Sequence, residues 1–450
     1  MAGSTPSGQS PPVIADLVAM RLTLLTPGTG SFFCGSCLRD NVLARALRAI
    51  GHEVTVVPLY LPRVLEEPAP EEPVLLGGIN MYLQQKSRIA RVLPRWLTRV
   101  FDRPGLLRWA AKRGNMTDAA DLGALALSML RGELGHQAKE VERLVDWIGA
   151  LPRPDVLVIS NVMLSGVVRR LREAIGCPIL STLQGEAPFL DALPEPFRSD
   201  TWAELRLRAN EISAFVPVSR TYGEVICERL GLERARVHPV HNGIDLGDYD
   251  ARPQPLATRN PRTIGYLARM CHDKGLHTLV DAFVALRSQG SMSDVRLRIA
   301  GVRLAEDEPF VEQLRATLAR HGLAGDVEFS ANIARPEKLA HLRSLSVLSV
   351  PATYGESFGL YVLEALACGV PVVEPRHGAF AELLEETGGG LLCEPDDAAS
   401  LAEALAELLN DGARAQTLAD AGRAAVFAHF TAERMARDFE RVCFALTKPH

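Results

Sequence analysis

No window of 18 uncharged apolar residues occurs in the 450-residue chain, so no segment has the makings of a membrane-spanning helix. The apolar run Val13–Thr26 is broken by Asp16 and Arg21 and follows no basic leader, unlike a signal peptide. Cysteines number only eight, scattered from Cys34 to Cys443 without a framework spacing. In a chain this long they read as reduced thiols of a cytosolic protein rather than a disulfide scaffold. Aromatic residues are scarce and the net charge is −5, so the chain has no overall nucleic-acid footprint. "CGSC" (34–37) has no second CxxC or CxxH partner, so Cys34 and Cys37 read as an incidental or packed pair rather than a zinc or redox site. "GTGSFF" (28–33) lacks the third glycine of a dinucleotide fingerprint, and the second strand ends in "PLY" without an acid for a ribose. "DYD" (248–250) imitates a metal-clamping D-x-D, but it lies in a linker and not at a strand end.

What is present is the composition of an ordinary globular protein, 47% hydrophobic and 23% charged, at a length where two domains are the default. Residues 1–19, rich in Ser, Pro and Gly, read as a tail. Apolar runs then alternate with amphipathic helices. Strands are predicted at 21–26, 52–60, 155–160, 178–184 and 214–219, and a helix from Leu38 is closed by Gly51 as its C-cap. Turn formers from His241 to Pro261 make a hinge. A second series follows, with strands at 263–268, 295–301, 326–331, 346–352, 371–375 and 389–395. Short apolar strands separated by helices mean parallel sheets covered on both faces. The predicted class is α/β: two Rossmann-like, doubly wound halves, 20–242 and 243–428, facing each other across a cleft. Ligands of such sheets sit outside the carboxyl ends of the strands.

The run "PATYGESFGLYVLEALACGVPVVEP" (351–375) carries the sharpest signal. A helix is predicted from near Ser357, and the amides of Ser357, Phe358, Gly359 and Leu360 then lack intrahelical acceptors and make an anion site. Glu356 stands at the rim of that site. Glu364 lies two turns deeper and about 80° further round the helix. A ligand with an anionic middle and hydroxyl-bearing ends fits this pattern, as a nucleotide-diphosphate sugar does. Arg269, at the end of the second half's first strand, and Lys274, five residues on, supply cations for the diphosphate. The alternatives are a capping carboxylate plus a solvated glutamate for the acids, and a surface loop for the cations.

These residues resemble the family-4 retaining glycosyltransferases of the GT-B fold. The resemblance is carried by E-x₇-E (Glu356, Glu364) before "ALACGVPVV", by R-x₄-K (Arg269, Lys274), by "NGID" (242–245), and by the N-terminal Gly-rich loop followed by "GHEV". It spans residues 20 to 440. It implies that Glu364 holds the ribose hydroxyls and Glu356 the transferred sugar, while Arg269 and Lys274 neutralise the leaving diphosphate. The 357–360 amides cradle phosphate and sugar, and Gly35, in the loop after strand one, lets the first half approach the diphosphate. A closing helix, 429–450, crosses back to the first half. No cofactor and no metal are implied, and the donor is a UDP-sugar in preference to a GDP-sugar. One position departs from the family: relatives often have His in a "T-x-H-G" turn facing the sugar, and here the run is "STLQGE". Gln184 can hydrogen-bond a sugar hydroxyl but cannot be charged. Glu186, two residues on, is either a sugar or acceptor contact or a plain turn residue. His238 and His241, flanking the hinge, read as structural.

The excursion 84–140 stands apart. Between Lys86 and Arg113 nine basic residues face a single acid, Asp102, interleaved with Trp96, Phe101 and Trp109. The segment reads as a solvated basic face or a lining of the acceptor side, with docking on an anionic membrane surface as the sharper alternative. Function classes still open at this level are a sugar transferase, a sugar-nucleotide epimerase or hydrolase, and a non-catalytic sugar-nucleotide-binding subunit.

Overall fold

The computed structural model describes residues 19–28, 35–59, 119–249, 251–288 and 292–448. Residues 1–18, Cys34, Asp250 and the basic run 86–113 lie outside the described residues, and with them the expectations placed on the tail and on the membrane-docking face.

The first sheet comprises β1 (Arg21–Thr26), β2 (Glu53–Pro58), β3 (Val156–Ile159), β4 (Ile179–Leu183) and β5 (Ala214–Pro217). All neighbours are parallel, in the order β2-β1-β3-β4-β5. The second comprises β6 (Thr263–Leu267), β7 (Arg296–Gly301), β8 (Val327–Ala331), β9 (Val347–Leu348), β10 (Val372–Pro375) and β11 (Gly390–Cys393), in the order β11-β10-β9-β6-β7-β8. Central strands such as β3, β4 and β6 are buried at every residue, because helices cover both faces; this is why they read as continuous apolar runs. All eleven expected strands are present, β1 with the expected bounds and the others trimmed at one or both ends. The largest trim is β9, expected over 346–352. It pairs only through Val347 and Leu348, and beyond it Pro351 has no N–H to offer a ladder.

Read from β8, the second sheet has the dinucleotide-fold order 3-2-1-4-5-6 when its strands are counted within that half. The strand order reverses between β6 and β9, and a ligand crevice belongs outside the carboxyl ends of those two strands. Both loops of the sequence signature leave from that point: 268–275 after β6 and 349–359 after β9.

The closing helix, Ala432–Thr447, returns to the first sheet. Met435, Ala436, Phe439 and Cys443 share a buried cluster with Leu22, Leu24, Leu43 and Leu47. Among the described residues no helix is long and apolar enough to cross a membrane.

Candidate functional site

A cavity of about 320 Å³ opens in the cleft between the two halves. Gly35, Ser36, Gln184 and Gly185 line it from the first half, Asn242 from the hinge, and Lys274, Tyr354 and residues 355–361 from the second. Direct bonds close the halves together beside it. Ser357 Oγ donates to the Gln184 carbonyl at 3.0 Å, and Ser219 Oγ to the Ser357 carbonyl at 2.7 Å.

Two glycines shape the second wall. Gly275 holds φ +67° between Lys274 and the helix Leu276–Arg287, where a Cβ would strike the Pro351 carbonyl. Gly359 holds φ +92°, so the helix expected from near Ser357 starts only at Leu360 and runs to Ala367. The amides of Ser357, Phe358 and Gly359 therefore belong to a loop leading into the helix. Among the described residues they donate to no protein acceptor, which keeps them open to an anion. Gly35 likewise differs from expectation: it is the first residue of the helix Gly35–Ala49, whose amide end points its partial positive charge at the cavity mouth.

Lys274 Nζ bonds the Glu356 carboxylate and the Tyr354 hydroxyl, and it lies 4.9 Å from the Tyr354 ring centre. Burial opposes the ammonium charge, but Glu356 and Tyr354 outweigh it and hold the pKa of Lys274 above its usual value. Tyr354 is pushed up to about 12 by burial and by the Glu356 charge. Tyr361 also donates to Glu356 Oε2, at 3.4 Å. The two tyrosines are site residues that no sequence signal had marked, although both lie within the 351–375 run.

Eight of the expected residues thus meet in one cavity: Gly35, Gln184, Lys274, Glu356, Ser357, Phe358, Gly359 and Leu360. Three do not line it. Arg269 turns to Asp307, with Nη2–Oδ1 at 2.8 Å and Nε–Oδ2 at 3.0 Å, and also bonds Glu306, so its charge is already matched by two carboxylates. Glu364 lies further along its helix, where Oε1 accepts from Lys338 Nζ at 2.6 Å. Lys338 comes from the helix Arg335–Ser344, 26 residues away in a stretch with no motif. Glu186 is buried and its carboxylate accepts from the amides of Gln184, at 3.0 Å, and Gly185, at 3.0 Å, and from the Tyr222 hydroxyl at 2.9 Å. Its carboxylate thus holds the turn after β4.

His241 is structural, and more connected than its sequence position suggests. Its Nε2 lies 2.7 Å from Glu382 Oε1 and its Nδ1 3.3 Å from Glu386 Oε2. This His–Glu–Glu group has the atoms for a cation, but Glu382 also accepts from the Arg220 and Thr221 amides, and Arg220 already bonds Glu386. Asp248 of "DYD" pairs with Arg335 at 2.6 Å.

Comparison with known proteins fits this geometry. A family model described as "Glycosyltransferase Family 4" matches residues 110–248, and one described as "Glycosyl transferases group 1" matches 249–425. Glycogen synthase of Mycobacterium tuberculosis is 28% identical over 302 residues, 64% of this chain and 66% of that protein. D-inositol 3-phosphate glycosyltransferase of Pseudarthrobacter chlorophenolicus is 30% identical over 282 residues, 60% of this chain and 65% of that protein. The match thus spans just under two thirds of these relatives' length. Among solved structures, Anabaena HepE in complex with UDP superposes with a TM-score of 0.68 at 18% identity, covering 95% of this chain and 100% of that one. Sucrose-phosphate synthase from Thermosynechococcus elongatus gives 0.68 at 19%, covering 95% and 99%. With two adjoining family models over more than two thirds of its residues, and two parallel sheets facing across a cleft, the chain belongs to the family-4 glycosyltransferases of the GT-B fold.

Proposed function

We propose that this chain transfers a hexosyl group from a nucleotide-diphosphate sugar, a UDP-sugar in preference to a GDP-sugar, to a hydroxyl acceptor, with retention of anomeric configuration and without a metal. The observation that carries the reading is the Lys274–Glu356 pair beside the open 357–359 amides, at the switch point of the second sheet. A diphosphate seated there meets the ammonium of Lys274 and backbone N–H groups, which stabilise the charge that grows as the diphosphate leaves. Glu356, released from Lys274 as the phosphate takes its place, accepts from a sugar hydroxyl. The acceptor hydroxyl attacks the anomeric carbon from the face the diphosphate departs. Glu364, backed by Lys338, takes the ribose hydroxyls. The UDP preference draws on the fold shared with the UDP-bound HepE.

The test is product analysis after incubation with UDP-glucose, UDP-galactose, GDP-mannose and ADP-glucose. It separates transfer from isomerisation, hydrolysis and mere binding. A thermal-shift series with the same donors and their free diphosphates identifies the base, since a bound ligand raises apparent stability by mass action. An isomerised sugar, or no change in any donor, overturns the transferase reading.

Two further results are expected. Turnover survives EDTA, because Lys274 and the amides meet the leaving-group charge; complete loss restored by Mg²⁺ or Mn²⁺ removes the metal-free assignment. Glu364→Gln raises donor KM about tenfold with kcat little changed, since the ribose contact is the same in ground and transition states. A donor-saturation curve at fixed acceptor reads this directly.

A further inference from the structure

Gln184 lines the cavity from the first half, and the residues beneath it decide which end of its amide a ligand meets. Its Nε2 donates to Asp40 Oδ1 at 3.0 Å, to the Ser160 carbonyl at 2.7 Å and to Thr182 Oγ1 at 3.2 Å. An amide nitrogen has two hydrogens, so this end is spent on the protein. Among the described residues nothing donates to Gln184 Oε1, and the side chain lines the cavity.

Asp40 is 2% exposed and paired with Arg39 at 3.2 Å. Arg39 Nε in turn donates to Asn242 Oδ1 at 3.1 Å, and its guanidinium lies 5.9 Å from the centre of the Phe439 ring on the returning helix. Burial pushes the Asp40 pKa up against the Arg39 charge, and in this arrangement Asp40 Oδ1 accepts from both Arg39 Nη1 and Gln184 Nε2. Turning the Gln184 amide over would press its oxygen against Asp40 Oδ1 and the Ser160 carbonyl at once, acceptor against acceptor, with Arg39 Nη1 and Thr182 Oγ1 left as their donors. Among the described residues Asp40 Oδ2 and Arg39 Nη2 have no hydrogen-bond partner.

We propose that Asp40 is a positioning residue that locks the Gln184 amide with its carbonyl oxygen toward the cleft, so that this wall accepts a hydrogen bond from a hydroxyl of the donor sugar. The proposal rests on the glycosyltransferase reading above and adds a requirement to it. The hydroxyl at that position must donate, and a substituent that can only accept is rejected.

Deoxyfluoro analogues of the best donor in the nucleotide-sugar panel test this, because fluorine keeps the size and dipole of a hydroxyl but has no hydrogen to give. In the wild type, fluorine at one sugar position is expected to lower kcat/KM about tenfold, and Gln184→Ala to remove that discrimination. Asp40→Asn, whose amide can face Gln184 with either end, is expected to cost about as much as Gln184→Ala, with the double variant no worse than either single one. Gln184→His, which still offers an N–H to Asp40, is expected to retain activity only while Asp40 is present. Melting temperatures report folding. Should Asp40→Asn fail to fold, the fluoro series on wild type and Gln184→Ala decides alone. Additive losses, or equal use of every fluoro analogue by the wild type, overturn the proposal. No sugar transfer by the wild type overturns the transferase reading and this inference together, whereas transfer with additive losses overturns the inference alone.

Discussion

Lys274→Ala is expected to lower kcat by about 10²–10³-fold, the effect of removing one preorganised donor from a developing anion. The loss goes beyond donor affinity, because the ammonium faces charge that is larger in the transition state than in the bound donor. The geometry adds a second consequence. Lys274 is the partner of Glu356, and both side chains are largely buried, 20% and 12% exposed. Removing the cation strands a carboxylate at the phosphate site, where it repels the diphosphate. Donor KM is therefore expected to rise together with the fall in kcat. Glu356→Gln in the Lys274→Ala background is expected to recover part of the KM loss but none of the kcat loss. Donor-saturation curves for the two single variants and the double variant at fixed acceptor check this. A Lys274→Ala enzyme altered only in KM refutes the assignment of Lys274 to the leaving group.

The second large effect lies at the seam between the halves. Glu382, on the helix Phe380–Thr387 of the second half, accepts from the Arg220 amide at 2.9 Å, the Thr221 amide at 2.8 Å and Thr221 Oγ1 at 2.7 Å. Those groups begin the helix Arg220–Leu230 of the first half, so a carboxylate from one half caps a helix of the other. Burial works to raise the Glu382 pKa, but His241, the two amides and the Thr221 hydroxyl bring it down to about 2. A carboxylate lowered on folding contributes stability above its unfolded pKa and loses it as pH falls through the folded one. This contribution is thus complete above about pH 5 and fades between there and pH 2. Glu382→Ala is expected to cost about 3 kcal/mol locally. The chain has two halves and need not unfold in one step, so the measurement is hydrogen exchange at the Arg220 and Thr221 amides. Their protection is expected to collapse in Glu382→Ala at pH 7, and in the wild type as pH falls below 4. Since Ser219 beside them bonds Ser357, donor KM is expected to rise as well. Unchanged protection at both amides removes the cap from the account of domain closure.

The alternation of short apolar strands with amphipathic helices is a local pattern, and it determined the eleven strands and the two-sheet architecture. Parallel strands buried on both faces need apolar residues at nearly every position, and the chain supplies them in central strands such as β3 and β6, while β2 and β8 at the sheet edges carry exposed Glu53 and Glu328. The 351–375 run marked Glu356, the loop amides and Glu364 for a related reason: their roles depend on spacing along one strand–loop–helix segment. Pairings between elements distant in sequence carry no such record. Nothing near Lys338 announces Glu364, nothing near Asp40 announces Gln184, and nothing near Arg220 announces Glu382. These partners are 26, 144 and 162 residues apart in sequence. Burial also reassigned residues that spacing had treated alike. Arg269 and Lys274 share one motif, yet Asp307 draws the first away while Glu356 keeps the second at the cavity. Glu186, open to two readings by its spacing, has its carboxylate taken up by the Gln184, Gly185 and Val162 amides and the Tyr222 hydroxyl. Secondary structure and the site's own segment follow from residues close in sequence, where periodicity and turn chemistry act. Which charges end as partners depends on elements distant in sequence that meet only once their sheet has formed, or, for Arg220 and Glu382, once the two halves have closed on each other.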